Sequence, residues 1–506
     1  MSTPTHRPGS LKELLAVSLP LVLSAGSLSL MNIVDRIFLT WHSTAALAAA
    51  TPAAVLHWTV ISLALGTAIY VNTFVAQYEG AGRPDRVAAS IWQGLYLSFG
   101  AGVILLGVIP FTPWIFAVVD HAPAVRELEI EYFSILCTGG IPFMLTAVMA
   151  CFYSGRGKSM VVMWINIAAV AVNALLDWFL IFGHGLFPEM GIGGAALATV
   201  ISKSLAVVAY AVLMLTSVDG KKYGLWENRG YDRALFARLI RYGLPNGLQF
   251  FADIAGFALF IFLLGRLGEE ALAATNMAFT INQLAFVPML GFGTAVMTLV
   301  GKRIGEGRPG LAVRTTWTAF AFSSAYMIAC ALLFVVFPDV VIAPFVAVGE
   351  TSGNTALVEQ VTVLLRFVAV FVIFDAMAIV FGSAVRGAGD TRFSLVLVVL
   401  SAWLVMVLPV VLMAVFAEGS LMVGWTACTL YIVVVGIGFV WRFLAGHWQH
   451  MRVIESSEEL AQADETLPVV AGPSAPALQP TAEPDVWNPA CLSQGNLRQY
   501  PHIYSR

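Results

Sequence analysis

Charge is scarce in this chain of 506 residues: Asp, Glu, Lys and Arg make up 11% of it, whereas soluble domains carry about 25%. Hydrophobic residues make up 59%, and the mean hydropathy is +0.83. So little charge cannot cover a water-soluble surface, which excludes a soluble globular fold. The composition predicts an all-α integral membrane protein that crosses the bilayer many times.

The usual signals of catalytic and metal chemistry are also missing. The five cysteines have no CxxC spacing, which argues against a zinc site or a disulfide framework. We find no metalloprotease-type histidine motif, no Ser/His set and no Asp-rich pair motif. We expect a chain that is not an enzyme, with no cofactor, no metal beyond a possible Na⁺ and no nucleic-acid partner. The first residues lack a short apolar run before a cleavage site, so we expect no removable signal peptide.

Apolar stretches long enough to cross about 30 Å of hydrocarbon as helices dominate the chain. The predicted spans, numbered one to twelve, are 13–40, 47–77, 87–110, 126–153, 160–183, 191–216, 235–264, 272–301, 312–337, 357–385, 393–416 and 421–446. With the N-terminus placed inside, twenty Lys and Arg residues fall on the inside, and Arg126 and Arg266 fall outside. The positive-inside rule therefore predicts a multi-pass protein of the cell (inner) membrane with both termini cytoplasmic.

The two halves of the chain repeat each other at an offset of 225 positions. Leu19-Pro20 matches Leu244-Pro245, the segment 46–49 matches 271–274, and Trp92 matches Trp317. The turns 80–84 and 305–309 both read Gly-x-Gly-Arg-Pro. A hydrophobic chain built from two copies of one half is typical of a transporter with its site between the halves.

This repeat predicts the domain organisation. We expect an N-terminal lobe of spans one to six (1–216), a polar cytoplasmic linker (217–234), a C-terminal lobe of spans seven to twelve (235–453) and a tail (454–506). The lobes should be related by a pseudo-two-fold axis along the membrane normal. The tail is rich in Pro, Glu and Asp, which predicts disorder and a cytoplasmic position. We expect the chain to act as a monomer.

Ionisable residues inside spans are expensive, and few are present. Asp35 and Arg36 are adjacent in span one, so they point about 100° apart and cannot share one helix face. One of them should face the bundle. Asp35 is therefore a candidate site residue, although a polar helix end with Arg36 reaching the interface is the simpler alternative.

Span five carries an amide and a carboxylate on one face. Asn173 and Asp177 are four residues apart, and Asn166 lies on the same stripe. Such a set can hold a proton or a small cation and can bond to a ligand, although Asn173 could simply join two helices. The Thr199 hydroxyl in span six could face the same cavity, and helix packing explains it equally well.

The C-terminal half has its own intramembrane carboxylates. Asp253 lies one turn after Gln249 in span seven, and Asp375 lies in span ten. A carboxylate in an apolar setting is suited to exchange a proton, although both could merely pair with Arg366 or Lys203. Other polar, Met and aromatic side chains are candidates for an adaptable substrate cavity, together with Gln249 and Asn166: Tyr153, Asn276, Met277 and Phe279.

Taken together, these motifs resemble the multidrug and toxic compound extrusion (MATE) family over residues about 11–450. The resemblance rests on Val34-Asp35, 46–49, the Gly-x-Gly-Arg-Pro turns, 191–196 and 386–391. It implies twelve helices in two six-helix lobes around a central cavity. It also implies cation-coupled export, driven by H⁺ or Na⁺, of amphipathic and often cationic compounds.

The resemblance also implies roles for individual residues. Asp35, Asn173, Asp177 and, plausibly, Thr199 match a proton or sodium site in the N-terminal lobe of the DinF-like branch. Asp253 and Asp375 match acidic positions of a sodium site in the C-terminal lobe of the NorM-like branch, where the first of them is usually Glu. The coupling ion, H⁺ or Na⁺, therefore stays open.

Three alternatives to drug export remain at this stage. A lipid-linked oligosaccharide flippase of the same superfamily would need a strongly basic cavity for its pyrophosphate, whereas the spans hold Arg36, Lys203 and Arg366 against four aspartates. An integral membrane enzyme lacks support because no catalytic motif is present, and His57 and His184 are isolated in sequence. A channel is disfavoured by the repeated halves.

Overall fold

Helices account for the regular structure of the protein in the computed structural model, which describes residues 7–117, 121–185, 187–347, 355–416 and 420–455. No strand occurs within these ranges. The α-helices are α1 Leu11–His42, α2 Thr44–Ile69, α3 Val71–Gly80, α4 Pro84–Leu106, α5 Thr112–Ala117, α6 Pro123–Thr138, α7 Gly140–Ser154, α8 Ser159–Phe182, α9 Gly191–Thr216, α10 Val218–Lys222, α11 Arg233–Gly265, α12 Glu269–Gly305, α13 Pro309–Val336, α14 Pro338–Ala347, α15 Thr355–Ala388, α16 Thr391–Ser401, α17 Leu408–Phe416 and α18 Leu421–Leu444. A π-helical segment, Ala402–Val407, joins α16 to α17, and 3₁₀ turns lie at Ile109–Phe111 and His447–His450.

Polar side chains cap the first turn of several helices in this apolar sequence. At the start of α1, the Ser10 hydroxyl accepts a hydrogen bond from the backbone N–H of Glu13, and the Glu13 carboxylate accepts one from the Gly9 N–H at 2.6 Å. Ser43 separates α1 from α2 and caps α2. Asp232 caps α11 through the Leu235 N–H at 2.9 Å. These caps satisfy backbone donors that would otherwise stay unpaired at helix ends.

The described residues contain eleven helical segments long and apolar enough to cross a membrane, and the pair α6–α7 makes a twelfth. The twelve spans expected from the sequence are thus confirmed. Span four differs in shape, because α6 and α7 meet at a bend of 44° around Gly139. A Cβ on Gly139 would lie 2.5 Å from the Val200 side chain, so the missing side chain lets α9 pack against the bend.

The sequence repeat is visible in the backbone. Gly82 and Gly307 both have φ of +71°, a conformation that favours glycine, and each ends the turn after a span. Pro84 and Pro309 then occupy the first position of α4 and of α13, where a missing N–H costs nothing. The matched turns confirm that the two halves share one architecture, two lobes of six spans each.

Glycines let the two lobes approach closely. A Cβ on Gly66 of α2 would lie 2.9 Å from the Cα of Gly247 on α11, and a Cβ on Gly305 would lie 2.0 Å from the Gln77 carbonyl oxygen. Small residues at such crossings are how membrane helices gain packing contacts without a hydrophobic driving force. Substitution of either glycine would push the lobes apart.

Interlobe hydrogen bonds concentrate towards one end of the bundle. We call this end the basic face; it carries Arg83, Arg156, Arg303 and the start of α1. All interlobe hydrogen bonds found in the described part of the chain lie in the half of the bundle nearer this face. They include Asn246 to the Gly66 carbonyl (2.7 Å), Tyr70 to the Arg386 carbonyl (2.8 Å), Asn72 to Thr298 (2.8 Å) and Gln77 to the Gly387 carbonyl (2.9 Å).

Two segment boundaries differ from those expected. The predicted linker 217–234 contains the short helix α10, and its last residues already belong to α11. Ile454 and Glu455, assigned to the tail by composition, belong to the compact unit that ends at Glu455. Ile454 is buried there, and Glu455 accepts hydrogen bonds. Both residues precede the Pro-rich stretch, and their apolar and ionic contacts hold them in the fold. The rest of the predicted tail, 456–506, lies outside the described residues.

Candidate functional site

Asp35 lies on the inner face of α1. It is buried, whereas the adjacent Arg36 is exposed on the surface of the bundle. One of the Asp35 carboxylate oxygens is buried without a hydrogen-bond partner. A buried carboxylate with an unused oxygen is costly unless it has a role, which makes Asp35 the starting point of the site.

Asp177 on α8 faces Asp35, and Asn173 lies one turn before Asp177 on the same side of α8. Both side chains are fully buried, and neither the two Asp177 oxygens nor the Asn173 amide atoms have a hydrogen-bond partner in the described structure. The carboxyl groups of Asp35 and Asp177 are close enough to share a hydrogen bond once one of them is protonated. The set is therefore suited to hold a proton or a small cation between α1 and α8.

A small cavity of about 70 Å³ opens beside Asp35. Among the side chains that line it are those of Asn32, Asp35, His57, Tyr132, Thr199 and Lys203, which come from α1, α2, α6 and α9. Thr199, a predicted site residue, is half-buried there. Polar groups from four helices thus converge on one space within the N-terminal lobe.

Lys203 brings a positive charge to this cavity. Its side chain is 5% exposed, and its ammonium lies 5.4 Å from the centroid of the Phe143 ring, within the range of a cation–π contact. It attracts the Asp35 carboxylate electrostatically. With Asp35 and Asp177 ionised, one carboxylate charge remains uncompensated by this ammonium, so the set can accept one further positive charge.

Asn166, predicted on the same stripe of α8, has a partner on α1. Its amide donates to the Ser24 hydroxyl at 2.5 Å, and both side chains are buried. The bond ties α1 to α8 on the basic-face side of Asp35 and Asp177. Asn166 therefore joins the two helices that carry the carboxylates.

The C-terminal lobe has a second acidic set built on three helices. The Tyr431 hydroxyl on α18 donates to Asp253 on α11 at 3.0 Å, and Gln249 lies one turn before Asp253 on the same helix. Asp375 on α15 interacts electrostatically with Tyr431, so one phenol lies near both carboxylates. Asp253 and Asp375 are half-buried.

The cation near Asp253 is a residue that we expected in a loop on the inside of the membrane. Arg386, counted among the loop residues of the inside face, lies in the last turn of α15 and interacts electrostatically with Asp253. The two cations that the sequence offered as partners of the C-terminal aspartates do not pair with them in the described part of the chain: Lys203 attracts Asp35, and Arg366 is exposed. The idea that Lys203 or Arg366 neutralises the C-terminal aspartates therefore gains no support from their positions.

One of the predicted cavity residues, Phe279, lies in an aromatic cluster near the second set. Phe279 stacks on Trp425 at 4.9 Å, and Phe257 contacts both Phe279 (6.1 Å) and Tyr431 (6.0 Å). Met277 packs partly buried against the same core, whereas Asn276 is exposed. Phe279 is thus separated from Tyr431 by a single ring.

Tyr153 lies apart from both acidic sets. It is buried at the end of α7 between Phe152 and Tyr210, with the Arg156 guanidinium 5.4 Å from its ring. It does not line the cavity beside Asp35. This position near the basic face gives Tyr153 packing contacts within the N-terminal lobe.

Sequence reasoning missed four polar side chains of the N-terminal cavity: Asn32, His57, Tyr132 and Lys203. Lys203 was noticed as an intramembrane charge but was considered only as a partner of the C-terminal aspartates, and His57 looked isolated. His57 is buried in the cavity wall with its Nε2 unpartnered, and Tyr132 lines the same cavity. The rarity of a lysine inside a span was the available signal for Lys203, and no local pattern distinguishes His57 or Tyr132.

A twelve-span bundle of two repeated lobes, with the buried Asp35 carboxylate facing a cavity, defines the protein as a membrane transporter. The MatE family profile matches residues 20–179 and 245–412, which is more than half of the chain. The chain belongs to this family, the multidrug and toxic compound extrusion transporters that its motifs resemble. The family is one of transporters and not of enzymes.

Curated relatives and solved structures agree with this assignment. The chain is 27% identical over 411 residues to the probable multidrug resistance protein NorM of Xanthomonas campestris pv. campestris, covering 80% of this chain and 88% of that one. It is 23% identical over 446 residues to the NorM of Thermotoga maritima, covering 88% and 94%. A structure described as the outward-facing conformation of a multidrug resistance MATE transporter matches with a TM-score of 0.78 at 21% identity, covering 88% and 98%. The eukaryotic MATE transporter AtDTX14 matches with a TM-score of 0.76 at 17% identity, covering 90% and 98%.

Proposed function

We propose that this protein is a cation-coupled antiporter that exports amphipathic, cationic drugs or metabolites from the cytoplasm. In this proposal it works in the cell (inner) membrane, with the basic face and both termini cytoplasmic. The coupling ion is H⁺ or Na⁺. The names of the relatives support drug export as the transport activity.

One observation carries the proposal: two buried carboxylates from different helices face each other with unused hydrogen-bonding atoms. Asp35 and Asp177, with Asn173 beside them, form a set of polar atoms that lack partners in the apolar bundle. Burial of such a set costs free energy unless an ion or a proton occupies it during the working cycle. A purely structural pair would have recruited a donor.

The lobe contacts support alternating access. The interlobe hydrogen bonds lie towards the basic face, so the described state is held closed there. In this state an ion arriving from the opposite side can neutralise the Asp35–Asp177 pair. The neutralised pair holds a cationic compound less strongly, so the compound leaves. Rocking of the lobes then opens the basic face, where a new compound displaces the ion.

The charge balance favours a cationic cargo. The intramembrane cations nearest the two acidic sets are each matched by a carboxylate, Lys203 by Asp35 and Arg386 by Asp253. A lipid-linked oligosaccharide would need free cations to bind its pyrophosphate. The aromatic cluster around Phe257 and Phe279 offers the apolar surface that an amphipathic cation needs.

Transport into inverted vesicles tests the proposal. Asp35→Asn should abolish uptake of a cationic dye driven by an imposed proton or sodium gradient, and comparing the two gradients identifies the ion. Asp339→Asn, which changes an exposed carboxylate at the start of α14, is the matched control. Wild-type uptake by Asp35→Asn under both gradients would remove Asp35 from the mechanism.

A further inference from the structure

The last described segment, Met451–Glu455, returns to the junction of the two lobes on the basic face. It follows the 3₁₀ turn His447–His450, whose Trp448 is fully buried and stacks on Phe443 at 4.9 Å. Val453 and Ile454 are also buried. The segment is thus packed into the fold by apolar contacts and is not a loose end of α18.

Gln77 of α3 bonds this segment to the interlobe contact. Its side-chain amide donates to the Gly387 carbonyl at the end of α15 at 2.9 Å, and its carbonyl oxygen accepts from the Val453 N–H at 3.0 Å. Gly389 has φ of +120°, and a Cβ there would lie 3.0 Å from the Val453 side chain. The backbone at the lobe junction is therefore shaped to receive Val453.

Glu455 connects the two lobes through one carboxylate. It accepts hydrogen bonds from Tyr78 (2.5 Å) and Arg86 (2.5 Å) of the N-terminal lobe and from Arg238 of the C-terminal lobe. Its side chain is 13% exposed. Hydrogen bonds between ionised groups are the strong ones, and partial burial protects them from screening by salt.

We propose that Glu455 is a latch that holds the two lobes together on the basic face and must release before that face can open. The reason is geometric: Arg86 and Arg238 lie on different lobes but bind the same carboxylate oxygen. If the lobes rock apart at this face, the carboxylate can follow one lobe only. Opening therefore breaks at least one charge-assisted hydrogen bond.

This latch is not a pH switch near neutrality. Burial alone would raise the pKa of Glu455, but the hydrogen bonds from Arg238 and Tyr78 outweigh burial and lower the pKa to about 2. A lowered carboxyl pKa means that the stabilisation is complete above the usual value of 4.5 and fades only as the pH falls towards 2. Tyr78, Arg86 and Arg238, the groups that face Glu455, keep it ionised at physiological pH, so release depends on movement of the lobes.

A distance measurement between the lobes tests the latch. Spin labels are placed on Met160→Cys and Arg392→Cys, after replacement of the five native cysteines, in otherwise full-length protein in lipid nanodiscs. Both positions are exposed, and each is the second residue of a helix that starts at the basic face, α8 and α16. Without cargo or gradient, Glu455→Gln should increase the population with long label distances about tenfold, the factor for one lost charge-assisted hydrogen bond.

Asp219→Asn is the matched control for the same change of charge. Asp219 also binds two cations on the basic face, Lys158 and Arg156, but both belong to the N-terminal lobe, so the distances should stay as in the parent protein. Tyr78→Phe removes one neutral donor from Glu455 and should open the lobes less than Glu455→Gln. If Glu455→Gln folds poorly, the Tyr78→Phe variant still tests the latch.

The latch is wrong if Glu455→Gln and Tyr78→Phe both leave the distance distribution unchanged, or if Asp219→Asn opens the lobes equally. The measurement contains no drug and no ion gradient. A negative transport assay would therefore contradict the proposed export and leave the latch intact. Unchanged label distances would contradict the latch and leave the proposed export intact.

Discussion

The two acidic sets of the molecule, one in each lobe, are built in opposite ways. In the N-terminal lobe, Asp35 and Asp177 face each other in a fully buried position with oxygens that have no donor. In the C-terminal lobe, Asp253 is half-buried and receives a hydrogen bond from Tyr431. Asp253 thus has a hydrogen-bond donor, whereas one Asp35 oxygen and both Asp177 oxygens have none in the described part of the chain.

This difference indicates a division of labour. A carboxylate whose hydrogen bonds are already satisfied by the protein gains little from binding an ion. A pair without donors is stabilised strongly by any proton or cation that reaches it. We therefore expect ion exchange to depend mainly on Asp35 and Asp177, and the Asp253–Tyr431 bond to hold α11 against α18.

The largest effect is expected from Asp177→Asn. The asparagine keeps the size of the side chain but removes one of the two facing charges, so the set no longer needs a further cation. Gradient-driven dye uptake into inverted vesicles should fall to the level of vesicles without the protein. Full uptake by this variant would show that Asp35 and Asp177 are not the coupling site. The proposed division of labour between the lobes would then be wrong.

Lys203→Met should have the next largest effect. Removing the ammonium leaves Asp35 and Asp177 without a compensating charge and makes the set more attractive to any cation. The apparent affinity for the coupling ion should rise by about tenfold, and turnover should fall because the ion leaves more slowly. The measurement is the rate of dye transport against ion concentration. Lys222→Met, at an exposed lysine of α10, is the matched control. A lower ion affinity in Lys203→Met would contradict the assigned role.

Asp253→Asn should have a smaller effect than Asp177→Asn. The asparagine carbonyl can still accept the hydrogen bond from Tyr431, so the link between α11 and α18 survives in weaker form. Gradient-driven transport should fall by about threefold, within the range for one polar contact between membrane helices. Loss of transport equal to that of Asp177→Asn would place ion exchange in both lobes.

The sequence predicted the scaffold and part of the N-terminal set. Helical periodicity places Asn173 and Asp177 on one face, and adjacency forces Asp35 and Arg36 apart, because both relations are local to one helix. The turns at Gly82 and Gly307 followed from the repeat. These features depend on chain geometry alone.

The contacts between helices could not be predicted, because they depend on the orientation of helices that are far apart in sequence. Lys203 meets Asp35, and Arg386 approaches Asp253, only because the folded bundle brings α9 to α1 and the end of α15 towards α11. No spacing along the chain encodes such contacts. For the same reason Tyr153, chosen for its type, lies against Tyr210 near the basic face. The bend at Gly139 also reflects packing, since the glycine admits Val200.

The smallest effect is expected from Tyr431→Phe, which tests the structural half of the comparison. Phenylalanine keeps the edge-on contact with Phe257 at 6.0 Å and removes the hydroxyl that donates to Asp253 at 3.0 Å. The free energy of unfolding should fall by about 1 kcal/mol, measured as a lower melting temperature in detergent, while the ion dependence of transport stays unchanged. Tyr326→Phe removes a hydroxyl that donates to a neutral backbone carbonyl, that of Ala285, at 3.2 Å, and should cost less. If Tyr431→Phe instead shifts the ion dependence without lowering the melting temperature, Asp253 takes part in ion exchange and the two lobes do not divide the work.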